Sequence, residues 1–221
     1  MIILSILFFV TALIYSSVGF GGGSTYLAIL LIWGVPYTIF PVIALVCNII
    51  VVSGNSINFI RSKNININLL FPYLIGSIPF AFIGGSISIE KSLFEILLFC
   101  VLLVAGIFLL IESKSFNKEQ IKINKIPRFI SISIGSIIGF MSGLVGIGGG
   151  IFLSPLLFLM KAGYPRHITS SASLFILINS IFGIAGQLTK DQILDQVTNL
   201  SLIHISEPTR LLSISYAVFC L

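Results

Sequence analysis

Two clusters of glycine are the residues of this sequence whose type and spacing suggest chemistry. The sequence Gly-Phe-Gly-Gly-Gly fills positions 19–23, and the near copy Gly-Ile-Gly-Gly-Gly fills positions 146–150. Glycine costs about 1 kcal/mol relative to alanine in a helix interior, so each cluster predicts a break in an apolar helix. A helix that restarts after such a break has unpaired N–H groups and a partial positive charge at its N-terminus. The clusters therefore predict an anion site formed by the backbone.

The same glycines have an alternative explanation in close helix packing. Gly19 and Gly23 show the small-xxx-small spacing of packed membrane helices, and so do Gly135, Gly139 and Gly143. The duplication favours the anion site for the two clusters, because each copy precedes a short apolar segment and a Gly-x-Pro turn. Neither cluster has the spacing or the Lys-Ser/Thr ending of a nucleotide-binding loop. In both clusters we expect backbone angles that glycine adopts far more readily than other residues.

Uncharged polar side chains close to the clusters and within the apolar runs complete the predicted site. Amide and hydroxyl groups can donate hydrogen bonds to an oxyanion. The alternative role for each of them is a hydrogen bond between helices, worth about 0.6 kcal/mol on average in a membrane bundle. The predicted substrate-binding residues are Gly19, Gly21, Gly22, Gly23, Ser24, Asn48, Gly146, Gly148, Gly149, Gly150, Ser173 and Asn179.

The sequence does not favour an enzyme. It has no His/Cys metal-binding set and no nucleophile paired with a base at a plausible depth, so we expect no catalytic residue, metal or cofactor. No carboxylate or histidine lies at a predicted membrane midplane, which leaves the coupling ion open.

Membrane-spanning helices must position these residues. Hydrophobic residues make up 57% of the chain and charged residues 9%, and the mean hydropathy is +1.14. Long apolar runs occupy positions 69–89, 93–111, 129–160 and 168–188, and about 20 such residues span a bilayer. We predict an all-α polytopic membrane protein in the cytoplasmic membrane, with the lipid bilayer and a small anionic substrate as partners. No clustered basic and aromatic surface suggests nucleic acid, and the oligomeric state stays open.

The chain is predicted to be an internally duplicated helical bundle with broken helices. The glycine clusters are 127 residues apart, and the Gly-x-Pro turns at positions 34–36 and 163–165 are 129 apart. The apolar segments 24–33 and 151–160, about half the length that spans a bilayer, are interpreted as half-helices, and the internal duplication is typical of many transporter folds. The predicted division is a first membrane repeat (1–112), a basic cytoplasmic loop (113–128) and an incomplete second repeat (129–199).

The duplicated motifs resemble those of the sulfite exporter TauE/SafE family of bacterial and archaeal membrane proteins. The resemblance rests on GFGGGSTYLAILLIWGVP in the first half and on SGLVGIGGGIFLSPLLFLMKAGYP and SSASLFILINSIFG in the second. It implies a duplicated bundle of about eight helices that moves small anions, including sulfite and organosulfonates, across the cytoplasmic membrane. A secondary transporter is the expected function, and a passive anion channel or pore is the alternative.

The end of the chain is interpreted separately. Residues 200–221, LSLIHISEPTRLLSISYAVFCL, resemble a translated sequencing adapter. The natural chain is therefore expected to be represented to about Asn199, with the last helices of the second repeat missing from a truncated gene model.

Loop charges predict an orientation only after an assumption about the broken helices. If each broken segment crosses the membrane once, eight loop cations fall on one side and three on the other: the eight are Arg61, Lys63, Lys114, Lys118, Lys122, Lys125, Arg128 and Lys190, and the three are Lys91, Lys161 and Arg166. The positive-inside rule then places the N-terminus in the cytoplasm. If the half-helices instead enter and leave by the same face, the topology changes.

Overall fold

The computed structural model describes residues 2–62, 65–112 and 126–190, and these residues form eight α-helices and no strand. A 3-10 turn, Tyr37–Ile39, precedes the third helix. The helices are α1 (Ile2–Val18), α2 (Gly23–Ile32), α3 (Phe40–Arg61), α4 (Ile67–Ser86), α5 (Lys91–Glu112), α6 (Arg128–Val145), α7 (Gly150–Leu159) and α8 (Pro165–Gln187). Four helical segments are long and apolar enough to cross a membrane: 37–61, Ile67–Ser86, Arg128–Val145 and Pro165–Gln187. The prediction of an all-α polytopic membrane protein is confirmed.

Both glycine clusters break their helices, as predicted. Gly19 follows α1 with a left-handed φ of 87°, and Phe20 N–H donates to the carbonyl of Tyr15 at 3.0 Å, which caps the helix end. Gly146 follows α6 in the same way, with φ of 90° and a 2.8 Å bond from its N–H to the carbonyl of Ser142. The helices that restart, α2 and α7, have 10 residues each. Each is half the length that spans a bilayer.

The turn after each half-helix differs from the sequence alignment of the two repeats. The Gly-x-Pro motifs pair Gly34 with Gly163, which are 129 apart. In the structure Gly34 has a φ of 68°, and the residue with the equivalent conformation is Lys161, at 51°. Gly34 and Lys161 are 127 apart, the same offset as the glycine clusters. The two-residue insertion therefore follows the turn, and the strained conformation falls on a lysine in the second repeat.

Two apolar clusters mark the opposite ends of the bundle. At the Phe40 end, Phe40 and Phe94 pack with Leu144, Leu30 and Leu4, which belong to the end of α6, the end of α2 and the start of α1. At the other end, called the Leu70 end, the starts of α4 and α8 pack with the end of α7 and with Ile126, two residues before α6. The members include Leu70, Ile168, Leu157, Ala162 and Ile126. The α1–α2 pair thus begins and ends at the Phe40 end, and the α6–α7 pair begins and ends at the Leu70 end.

Side-chain contacts confirm that the chain reverses at each break. A Cβ on Gly22 would lie 2.8 Å from Thr11 Cγ2, and one turn later the ring of Tyr26 stacks on that of Phe8 at 4.8 Å. Later residues of α2 thus contact earlier residues of α1, so the two helices are antiparallel. Likewise, a Cβ on Gly149 would lie 2.9 Å from Ile138 Cγ2. The two broken pairs are helical hairpins that enter from opposite ends, which is the arrangement of inverted repeats. The assumption that each broken segment crosses once is therefore wrong, and the re-entrant alternative holds.

Helix α4 is held between α6 and α8 by small residues. A Cβ on Gly135 would lie 2.9 Å from Tyr73 Cα, and one on Gly139 would lie 2.6 Å from Ser77 Cα, so α4 and α6 advance together and are parallel. On the other side of α4, a Cβ on Gly186 would lie 3.0 Å from Gly85 Cα. The packing explanation is confirmed for the glycines of α6, because backbone approaches this close leave no room for a side chain.

We predict that Gly139→Val destabilises the folded protein by about 1–3 kcal/mol, the usual cost of overpacking a well-packed interior. The valine would push α6 away from the Ser77 backbone. Gly106→Val is the matched control, since among the described residues no atom outside its own stretch of helix backbone lies within 4 Å of a Cβ at Gly106. Thermal unfolding of the purified proteins in detergent measures the difference. Equal melting temperatures for the two variants would contradict this account of the interface.

Residues 200–221 and most of the predicted loop 113–128 lie outside the described residues. The predictions made for them, including the adapter origin of the tail and the division into domains, stay predictions.

Candidate functional site

Asn48 lies where the two glycine clusters meet. Its side chain is fully buried, and Nδ2 donates to the carbonyl of Ile147, within the second cluster, at 3.1 Å. A Cβ on Gly23 would lie 2.7 Å from the same Nδ2, and a Cβ on Gly148 would lie 2.8 Å from it. Only glycine leaves room for the carboxamide at these two positions. A residue of the first repeat thus joins both breaks, and the clusters predicted as one site come together.

The N-termini of α2 and α7 adjoin this contact. The N-cap residues are Gly22 and Gly149, and as glycines they have no side chain that could cap the helix. Within the described residues, the N–H groups of Gly23 and Ser24 in α2 make no backbone hydrogen bond, and neither does that of Ile151 in α7. Such groups, at the positive end of a helix dipole, suit an anion.

A cavity of about 380 Å³ lies between the two half-helices. Ser24 and Ile151, the second residues of α2 and α7, both line it, together with Gly21 and Ile147 from the breaks. Its other lining residues are Tyr15, Val18, Phe20, Ser154, Pro155, Phe158, Thr169 and Ile176. Among the described residues, the lining includes four hydroxyl groups and no charged side chain. Tyr15 Oη is 2.8 Å from Thr25 Oγ1, which ties the end of α1 to the start of α2.

The remaining predicted residues divide into those near the cavity and those that support it. Ser173 Oγ donates to the carbonyl of Gly19 and so fastens α8 to the first break. Asn179 is fully buried, but its Nδ2 donates to the carbonyl of Phe175 in its own helix at 3.0 Å, and it does not line the cavity. Of the predicted glycines, only Gly21 lines the cavity; the others shape the backbone behind it.

Sequence reasoning missed Tyr15, Ser154 and Thr169 as lining residues. Tyr15 lies four residues before Gly19, and Ser154 lies four residues after Gly150, so each is one helical turn from a break. That spacing was the available signal for these two. Thr169 had no such signal, because its position depends on how α8 packs against the cluster of the other repeat.

The two clusters are not conformationally equivalent. Gly149 has a φ of 78° and Gly148 a φ of 85°, whereas Gly22, the counterpart of Gly149, has a φ of −87° and a ψ of 20°. The expectation of glycine-only angles in both clusters is wrong for Gly22. At that position, space decides the residue: a Cβ would lie 2.8 Å from Thr11 Cγ2 and 3.0 Å from the Tyr26 ring.

A family model described as "Sulfite exporter TauE/SafE" matches residues 4–212 of the chain. The matched part includes both glycine clusters and, apart from the first two residues of α1, all eight described helices. It also continues beyond position 199, so the adapter interpretation of residues 200–221 stays a prediction.

Several similar sequences carry the description "Probable membrane transporter protein". One from Sinorhizobium fredii is 30% identical over 185 residues, covering 83% of this chain and 74% of the relative. One from Methanocaldococcus jannaschii is 32% identical over 204 residues, covering 85% of this chain and 72% of the relative. One from Bacillus subtilis is 22% identical over 207 residues, covering 82% and 76%. No solved structure matches the chain significantly.

The difference between Gly22 and Gly149 predicts different rescue of their alanine variants. Gly22→Ala should destabilise through the clash with Thr11, so adding Thr11→Ala should restore at least half of the lost stability. Gly149→Ala forces a left-handed angle on a residue with a side chain, at about 1–2 kcal/mol, and Ile138→Ala cannot remove that strain. Thermal unfolding of the single and double variants gives the coupling energies. Equal rescue of both variants would show that space alone decides both positions.

Proposed function

Because the chain belongs to the sulfite exporter TauE/SafE family of membrane transporters, we propose that it is a secondary carrier of a small oxyanion such as sulfite or an organosulfonate. One observation carries the proposal. The uncapped N-termini of two half-helices, one from each repeat, adjoin the same uncharged cavity. This geometry offers hydrogen-bond donors and positive dipole ends to an anion at the interface of the repeats.

The anion is held by neutral groups in this proposal. Backbone N–H groups of Ser24 and Ile151 point from the first turns of α2 and α7, and the hydroxyls of Ser24, Ser154 and Thr169 lie on the cavity wall. Hydrogen bonds to a charged partner contribute about 1.5–3 kcal/mol each, so a few of them can select an oxyanion. The apolar part of the lining, including Phe20 and Phe158, can contact the carbon skeleton of an organosulfonate.

Transport follows from the opposite entry of the two hairpins. The α1–α2 hairpin is anchored in the apolar cluster at the Phe40 end, and the α6–α7 hairpin is anchored at the Leu70 end. Rocking of one hairpin pair against the other around Asn48 would open the shared cavity to each end in turn. This is the alternating access expected of inverted repeats.

We place the protein in the cytoplasmic membrane with the Leu70 end in the cytoplasm. Of the six described cations, four lie at that end (Arg61, Arg128, Lys161 and Arg166), and two lie at the Phe40 end (Lys91 and Lys190). Helix α6 also begins at the Leu70 end, and the sequence just before it, 113–125, contains four lysines. By the positive-inside rule this end is cytoplasmic, and the start of α1 then faces the other side.

The transport proposal predicts saturable uptake of radiolabelled sulfite into proteoliposomes, with counterflow when the lumen is preloaded. Ser24→Ala combined with Ser154→Ala should raise KM about tenfold or more, because each removes a donor to a charged ligand. Ser133→Ala is the control, since Ser133 is exposed on α6 and its hydroxyl bonds the carbonyl of Phe129 at 3.1 Å. Linear flux without counterflow would instead indicate a pore, and no flux with sulfite or sulfonates would remove the substrate assignment.

The orientation predicts the side from which single cysteines react. In a background without native cysteines, Tyr164→Cys at the Leu70 end should react with a membrane-impermeant maleimide only after the inner face is exposed. Ser88→Cys, in the exposed loop at the Phe40 end, should react in intact cells or right-side-out vesicles. The reverse pattern would mean that the N-terminus is cytoplasmic and that the loop charges do not set the orientation.

A further inference from the structure

The carboxamide oxygen of Asn48 has no hydrogen-bond partner although the side chain is fully buried. The orientation of the amide is fixed by chemistry, because Nδ2 must face the carbonyl of Ile147, 3.1 Å away, and an oxygen there would repel it. Oδ1 therefore points away from Ile147 and lies so close to Gly21 that a Cβ at that position would overlap it. An unpartnered acceptor is thus directed at the backbone of the first break.

The backbone beside this acceptor also presents oxygen atoms. Phe20 and Gly21 lie between α1 and α2 and belong to neither helix. Among the described residues, no N–H or side-chain donor bonds their carbonyl oxygens. The nearest helical bond runs from Tyr26 N–H to the carbonyl of Gly22. The first break therefore places an unpartnered side-chain oxygen beside a backbone segment whose two carbonyl oxygens accept no hydrogen bond from the described residues.

We propose that a sodium ion binds at the first glycine break, ligated by Asn48 Oδ1 and by backbone carbonyl oxygens of Phe20 and Gly21. An acceptor-only oxygen set repels an anion and suits a hard cation. The set contains no carboxylate, which favours a monovalent ion over Ca²⁺ or Mg²⁺. A proton is not an alternative, because neutral amide oxygens do not titrate near neutral pH. Unwound backbone carbonyls of broken helices are known to bind Na⁺ in transporters.

The second break lacks this site. The proposed ligand contact is at Gly21, and its counterpart in the second cluster is Gly148. A Cβ on Gly21 would overlap the acceptor Oδ1 of Asn48, whereas a Cβ on Gly148 would lie 2.8 Å from the donor Nδ2. The Asn48 amide therefore turns its acceptor to the first break and its donor, which disfavours a cation, to the second. The structure therefore predicts one sodium ion per chain. Coupling of that ion to oxyanion movement rests on the proposed function, but binding of the ion does not.

Binding of ²²Na⁺ to the purified 221-residue chain in detergent tests the inference without any anion substrate. We expect saturable binding of about one ion per chain, displaced by unlabelled Na⁺ and not by choline. Asn48→Leu should lose this binding. Asn58→Leu should keep it, because Asn58 is on the same helix with its side chain exposed.

A second measurement keeps the test decisive if Asn48→Leu does not fold. The melting temperature of the wild-type protein should rise with NaCl concentration but not with choline chloride at equal ionic strength. Absence of both Na⁺ effects in the wild type would overturn the proposal, as would unchanged ²²Na⁺ binding by folded Asn48→Leu. Displacement by K⁺ as efficient as by Na⁺ would overturn the assignment to sodium. Since sulfite uptake is measured separately, each of these outcomes leaves the anion-transport proposal standing.

Discussion

The hydrogen bond from Asn48 to the carbonyl of Ile147 satisfies a general constraint of membrane proteins. Backbone N–H and C=O groups outside a helix must find hydrogen-bond partners inside the protein, because the bilayer core offers none. Two chain breaks at the same place double the number of backbone groups that need partners. One carboxamide satisfies a carbonyl of the second break while it packs against Gly23 of the first. Three of the cluster glycines follow from this contact, because a side chain at Gly21, Gly23 or Gly148 would occupy the space of the amide.

The rest of the bundle positions the hairpins that carry the breaks. Helices α4, α6 and α8 approach each other closely through glycines, and Gln187 Nε2 adds a 2.8 Å bond to the carbonyl of Gly143. Such packing lets three helices form a rigid unit in a medium where the hydrophobic effect does not drive helices together. The α1–α2 hairpin is held differently, by ring stacking of Phe8 on Tyr26 and by the bond from Asn55 Nδ2 to the carbonyl of Ser16 at 2.9 Å. The two hairpins are thus built on unlike supports.

The sequence predicts those features that depend on local chemistry. Glycine content predicts the breaks after Val18 and Val145. The length of the apolar segments predicts the ten-residue half-helices that follow. The reversal of the chain at each break could not be predicted, because a broken helix that continues and one that turns back have the same local sequence. Tertiary contacts distinguish them: the apolar clusters at the two ends and the contacts between the two helices of each hairpin. The sequence also pairs Gly34 with Gly163 through their Gly-x-Pro motifs. Only the backbone angles show that Lys161 is the structural counterpart of Gly34.

The candidate site was predictable in its backbone and less so in its side chains. Asn48 and Ser24 stood out as polar residues near a cluster, whereas Asn179 looked equivalent to Asn48 and instead bonds its own helix. A buried amide in a membrane helix can donate to a carbonyl of its own helix or to a neighbouring segment. Tertiary packing decides between the two, and sequence periodicity does not predict that packing.

The neutrality of the site sets limits on how tightly it can bind. A buried Lys or Arg would hold an oxyanion strongly, but it would also remain as an uncompensated charge once the ligand left, at a large desolvation cost. Helix N-termini and hydroxyls carry partial charges that stay tolerable in an empty cavity. A carrier must return through its empty state and must release its ligand on the far side, so weak and distributed contacts serve it better than a fixed ion pair. The absence of cations among the described residues that line the cavity therefore agrees with the proposed carrier of an oxyanion, in which the site has to be stable when empty.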